Sequence, residues 1–175
     1  MRPGVRLAFS GRALADGLIA CLGMVFVAGA SLAPDLSCKQ WATEHQHARV
    51  ELLPGVLSTT FTTNTGATFG LFGGRAQILA VVSVVILGAV LVLWWLEARQ
   101  SLVASLAVGL IAGGALGNLR DRLLLGYVVD FLHLDILPWW PAFNIADVAT
   151  VVGVLVMAVW LAWPRRKACE RQREL

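Results

Sequence analysis

The chain has 175 residues, of which 58% are apolar and only 14% charged, with a net charge of +3. Soluble domains carry about 25% charged residues, so this balance excludes an ordinary soluble fold and leaves room for one compact membrane unit. The basic surplus sits in short tails beside apolar runs, a pattern that needs no nucleic-acid partner.

Spanning a bilayer as a helix takes about 20 mostly apolar residues. The first stretch that qualifies covers about residues 13–33, after Arg2, Arg6 and Arg12. Its end, AGASLA, resembles a secretory cleavage site. A signal's apolar region is about 7–15 residues, so this longer run is expected to stay as an anchor. Asp16 lies near its inner end. Asp35 and Lys39 follow its outer end one helical turn apart, close enough to pair. An outer segment of about 40 residues comes next. Within it VLSTTFTTNTGATFGLF, from Val56, is rich in β-branched and aromatic residues and predicts one or two short strands with a turn.

The second span is predicted over about residues 78–96 and the third over about 102–119, with Arg99 in the short turn between them. Ser101, Ser105, Gly109, Gly113 and Gly117 place a small residue at every fourth position of the third span, a stripe suited to close helix packing. Gly114, Asn118 and Arg122 form a neighbouring row. Polar members of such a row must face protein or water rather than lipid. Asp121 and Arg122 cap this span, and a second outer stretch, 126–141, carries Asp130. Asn144 and Asp147, three apart and so on one face, begin a fourth span over about 143–163.

Arg165, Arg166, Lys167, Arg171 and Arg173 follow that span, so nine of fourteen basic residues fall on one side of a four-span arrangement. The positive-inside rule makes that side the cytoplasm and places both termini there. All seven tryptophans fall at predicted span ends, where an aromatic belt would put them. Cys21, Cys38 and Cys169 lie in different compartments and lack metal-ligand spacing; neither a disulfide framework nor a metal site is expected. His45 and His47 form an isolated HQH in the outer segment, and His133 reads as a loop or interface residue.

Ionisable residues inside a membrane cost about 2.5–3.5 kcal/mol each even on lenient scales, so they are candidates for function. Apart from Asp16, the polar residues converge on the outer helix ends. Taken singly, Asp147 could be a charge favoured by a helix N-terminus, and Asp130 a loop carboxylate paired with Arg122. Taken together, the apolar settings VVDF and FNIAD point to a pair. Two neighbouring carboxylates cannot both ionise cheaply, so they share a proton. One can then take a proton from water while the other hydrogen-bonds a carbonyl, as in aspartic proteases. No Ser/His/Asp or Cys/His arrangement competes with this pair.

Five blocks carry a resemblance: DLSCK (35–39), NTGATFG (64–70), GGALGNLRDR (113–122), GYVVDF (126–131) and FNIADV (143–148). In their order and spacing they resemble the signature blocks of lipoprotein signal peptidase, also called signal peptidase II. The resemblance implies an all-α inner-membrane protein with four transmembrane helices and a small periplasmic β-structure between the first and second. It implies an aspartic endopeptidase that removes the signal peptide from diacylglyceryl-modified prolipoproteins, cutting before the lipidated cysteine. Asp130 and Asp147 would be the catalytic dyad, near the periplasmic face. Asn64, Gly114, Asn118, Arg122 and Asn144 would line the site or orient the acids, Val128 and Ala146 would flank the dyad, and Asp35 and Lys39 would support the outer-loop structure. No cofactor is implied; the partners are the prolipoprotein and membrane lipid, and a monomer can hold every block. Thr68, where the family usually has alanine, and the filling Leu36-Ser37-Cys38 depart from the pattern and bear on local packing. Two other classes stay open on the residues alone. Intramembrane acids also serve proton-coupled transporters or channel subunits, and the glycine stripe would suit a non-catalytic scaffold.

Overall fold

The computed structural model describes residues 11–66, 76–99 and 101–163. Arg2, Arg6, Thr68, Cys169 and the basic residues from Arg165 onward lie outside them. The elements in chain order are α1 (Gly11–Glu44), β1 (Glu51–Leu53), β2 (Leu57–Asn64), α2 (Ala76–Leu93), α3 (Leu102–Leu124), β3 (Val128–Leu134) and α4 (Ile145–Ala162). A short π-helical stretch, Trp94–Ala98, continues α2. Among the described residues four helices, with α2 counted through Ala98, are long and apolar enough to cross a membrane. In hydrocarbon every backbone N–H and C=O must be paired within the chain, and an uninterrupted helix does this without help from neighbours.

The helices are not equivalent. More than half of α3's apolar stretch, 56%, is buried, against 6%, 11% and 17% for the corresponding stretches of α1, α2 and α4. α3 packs against all three other helices, which present Leu, Val, Ile and Phe outward where lipid would lie. Its small residues explain the central place. A Cβ at Gly109 would come within 2.5 Å of the Met24 carbonyl oxygen, and one at Gly113 within 2.6 Å of the Ala28 carbonyl oxygen, both on α1. The predicted stripe is therefore the seam with α1, and Gly114 belongs to the seam with α4.

Three differences from the sequence reading stand out. First, α1 runs past Pro34 to Glu44 instead of ending near Ala33. Proline removes one intrahelical hydrogen bond, but Asp35 and Lys39 just beyond it bond to α3 and α4 and hold the helix in line. Second, Trp94 is no belt residue. It is buried, and its indole N–H donates to Ser105 Oγ on α3 at 2.8 Å, while Trp95 stays exposed beneath Arg99. The wider π turn accompanies this inward turn of Trp94. Third, the stretch between α3 and α4 contains a strand, and His133 belongs to it.

That strand, β3, completes a three-stranded antiparallel sheet of order β1-β2-β3. The β1–β2 turn is Leu53-Pro54-Gly55-Val56, closed by Val56 N–H donating to Leu53 O at 2.9 Å. Gly55 has φ +69°, the left-handed conformation this turn position needs. β2 meets β3 through the pairs Thr59 with Leu132 and Thr62 with Asp130, so a bulge at 60–61 lies opposite Phe131. Beyond β3 the chain folds back: Phe143 N–H donates to Leu132 O at 3.0 Å, and Leu132 N–H donates to Phe143 O at 2.8 Å. This return brings Asn144 and the start of α4 to Asp130.

Candidate active site

Each polar side chain of the site is placed by the element that carries it. Asp130 sits on β3 opposite Thr62, beside the bulge in β2, and is 2% exposed. Its Oδ2 accepts from Asn64 Nδ2 at 3.1 Å and its Oδ1 from Asn144 Nδ2 at 2.7 Å. Asn64 ends β2, and its own Oδ1 accepts from Gly66 N–H at 3.0 Å, which fixes which end of the amide faces Asp130. The loop carboxylate paired with Arg122 is not what forms: two amides hold Asp130, and the Arg122 guanidinium donates to the Asn118 carbonyl oxygen at 3.4 Å.

Asn144 and Asp147 open α4 as a reciprocal capping box. Asn144 Oδ1 accepts from Asp147 N–H at 2.8 Å, and Asp147 Oδ2 accepts from Asn144 N–H at 3.3 Å. The pair thus satisfies helix donors that would otherwise be unpaired at the membrane edge. Asn144 lies just before the helix as its cap, rather than on a helical face with Asp147. One residue therefore bonds both acids, Asp130 through its side chain and Asp147 through its backbone. From α3, Asn118 Nδ2 donates to Asp147 Oδ1 at 2.7 Å, and Asn118 Oδ1 accepts from Asn144 Nδ2 at 3.1 Å.

Behind this layer lies a buried charge cluster. Lys39 Nζ stands 2.8 Å from Asp35 Oδ2 and 3.0 Å from Asp121 Oδ2, and donates to Asn118 Oδ1 at 3.0 Å. The expected Asp35–Lys39 pair is present, and Asp121 is a third member. The sequence reads Asp121 as a residue capping the third span; the approach of α1 reveals that it is buried. Asp35 Oδ1 accepts Ala146 N–H at 2.8 Å, and Asp121 Oδ2 accepts Val129 N–H at 3.3 Å. The cluster thus ties α1 to α3, α4 and β3. Val128 pairs with Asn64 across the sheet, and Gly114 lies against the Ala146 carbonyl and Thr150. The Arg122 side chain makes neither an ion pair nor a hydrogen bond to Asp130 or Asp147; it borders a groove between α2 and α3 lined by Ala80, Val84 and Leu119.

Burial and the neighbouring Asp147 charge push the Asp130 carboxyl up to about 7, against the pull of the Asn64 and Asn144 hydrogen bonds and of Lys39. At neutral pH the Asp130 site is therefore poised between holding and releasing a proton, the property general acid–base work requires.

Four helices long and apolar enough to cross a membrane, with Asp130 and Asp147 joined through Asn144 at one end, make this a multi-pass membrane protein. A family model described as signal peptidase (SPase) II matches residues 27–163. The chain belongs to this signal peptidase II family and is a peptidase. It is similar to the lipoprotein signal peptidase of Halothermothrix orenii, with 39% identity over 118 residues, 67% of this chain and 78% of that one. The lipoprotein signal peptidase of Syntrophomonas wolfei is 40% identical over 108 residues, 62% of this chain and 70% of the relative. A solved bacterial membrane enzyme superposes with a TM-score of 0.69 at 29% identity, covering 91% of this chain and 94% of that one.

Proposed function

We propose that this chain is an aspartic endopeptidase that removes the signal peptide from diacylglyceryl-modified prolipoproteins, cutting before the lipidated cysteine. One observation carries the reading: Asp130 and Asp147 are both bonded to Asn144, where α4 begins and β3 passes. Asp147, accepting from Asn118 and from the Asn144 backbone, is the ionised member and takes a proton from the attacking water. Asp130 is the protonated member. It hydrogen-bonds the scissile carbonyl oxygen as negative charge develops there, and a proton then passes to the departing amine. Asn64, Asn118 and Asn144 orient the acids, Gly114 and Ala146 let α3 and α4 close beneath them, and Val128 holds β3 in register. Arg122 stands free to meet a substrate carbonyl or headgroup.

The chain sits in the bacterial inner membrane with both termini in the cytoplasm and the acids near the periplasmic face. A substrate held by a signal helix and two acyl chains arrives sideways through lipid. Its cleavage point and water meet only near the interface, which is where the outer helix ends put the acids.

The titration of Asp130 gives a pH test. Cleavage needs its proton, so kcat/KM is expected to fall as pH rises above about 7, by about tenfold for each further unit. A flat profile from neutral to alkaline pH would assign the acid elsewhere. The function itself is tested in proteoliposomes with a diacylated lipobox peptide and the same peptide without lipid. Cleavage of the lipidated peptide alone, before its cysteine, is expected. Proton flux without cleavage would instead make the chain a transporter, and neither would make it a scaffold.

A further inference from the structure

We propose that Lys39 is a positioning residue of the acid pair, fixing from α1 which end of the Asn118 amide faces Asp147. This rests on the catalytic reading given above. The two ends of an amide have nearly the same shape, so packing alone does not choose between them; hydrogen-bond partners do. Asn118 Oδ1 receives Lys39 Nζ at 3.0 Å and Asn144 Nδ2 at 3.1 Å, and its Nδ2 is left to donate to Asp147 at 2.7 Å. Turned over, the amide would set its NH2 against an ammonium and a second NH2, and its carbonyl oxygen against a carboxylate.

Lys39 is equipped for this task. It is 3% exposed; its ammonium donates to Asn118 Oδ1 and stands in ion-pair range of Asp35 and Asp121 on its other sides. The two carboxylates balance its charge in a buried setting. They hold Nζ in place, 2.8 Å from Asp35 and 3.0 Å from Asp121, where it reaches Asn118 Oδ1 at 3.0 Å. The same carboxylates accept the backbone N–H of Val129 and of Ala146, the residues immediately before Asp130 and Asp147. One cluster therefore grips the chain next to each acid and sets the amide between them. This is a different task from supporting the outer loop.

A mutant cycle on cleavage of the diacylated peptide tests the inference. Lys39→Met alone would leave buried Asp35 without a cation and Asp121 with only the half-exposed Arg120 at 3.5 Å, so it is combined with Asp121→Asn. The cluster then keeps its formal charge, with one carboxylate replacing the sum of two carboxylates and a lysine. This pair and Asn118→Ala are each expected to lower kcat by roughly 100-fold, the scale of a misplaced reacting group, with KM within about twofold. Combined, they should cost no more than either alone. Multiplying losses, or an unchanged kcat in the Lys39→Met pair, would overturn the inference, since a merely structural lysine would act independently of Asn118. If the Met pair does not fold, Lys39→Gln with Asp121→Asn keeps a donor in the cavity and decides the matter. Its effect on kcat must vanish in the Asn118→Ala background, and persistence there overturns the inference. Failure of the underlying reading looks different: the wild type would leave the peptide intact, or Asp130→Asn would still cleave it.

Discussion

Asp130→Asn and Asp147→Asn are each expected to lower cleavage of a diacylated lipobox peptide by about 10²–10⁴-fold, the range supplied by a positioned acid or base. Asparagine keeps the shape of the side chain but can neither accept the water's proton nor donate one to the substrate carbonyl. The loss should appear in kcat, because the amides around the pair still shape the pocket. Asp130→Asn carries an internal control. A carboxyl raised to about 7 in the fold, from an unfolded value of 3.8, favours the folded state most strongly below pH 4. That contribution is lost as pH rises through about 7. The wild type should therefore lose thermal stability between pH 5 and pH 8, and the Asn variant should lose less over the same range. Retention of cleavage within tenfold by either variant would remove its aspartate from the mechanism.

Gly114→Ala is expected to cost about 1–3 kcal/mol of stability, as overpacking does, and to lower kcat by roughly 100-fold. The added methyl would collide with the Ala146 carbonyl oxygen and Thr150 Oγ1, and would lie 3.1 Å from the Thr150 backbone nitrogen. Thr150 can rotate, but a backbone carbonyl moves only if the start of α4 backs away. That movement carries Asp147 with it. Gly88→Ala on α2 is the matched control: a Cβ there meets nothing within 4 Å, so stability and cleavage should hold. Thermal unfolding in detergent and steady-state cleavage separate the two outcomes. Equal behaviour of both variants would mean that the α3–α4 seam does not set the position of the acid.

The sequence made the helices legible because lipid imposes a simple rule on composition: four long apolar stretches become four helices. The α3 stripe was legible for a related reason, since small residues at every fourth position have few uses other than close packing. What escaped detection depends on partners distant in the chain. VVDFLHL is buried along its first four residues instead of alternating in and out, so the period-two signal of a strand is absent. Its pairing with β2 joins Asp130 to Thr62 and Asn64, far away in sequence. Asp121 reads only as a cap of the third span, because nothing local reveals that Lys39 reaches it from α1. The first span reads as ending near residue 33 for the same reason, since the bonds that carry α1 onward belong to Asp35 and Lys39. Asn144 and Asp147 were legible as neighbours from their spacing alone, although the capping geometry that joins them is visible only in the fold.

Infrared titration of the purified protein in lipid, following the carboxylic acid carbonyl stretch, addresses the shared proton most directly. The wild type should keep one protonated carboxyl well above the ordinary carboxylate range, titrating near pH 7. Asp130→Asn should remove that titration, and Asp147→Asn should move it to lower pH by taking away the neighbouring charge. If every carboxyl has already ionised by pH 5, or if the band near pH 7 persists unchanged in both variants, the two acids do not hold a common proton and the catalytic assignment falls.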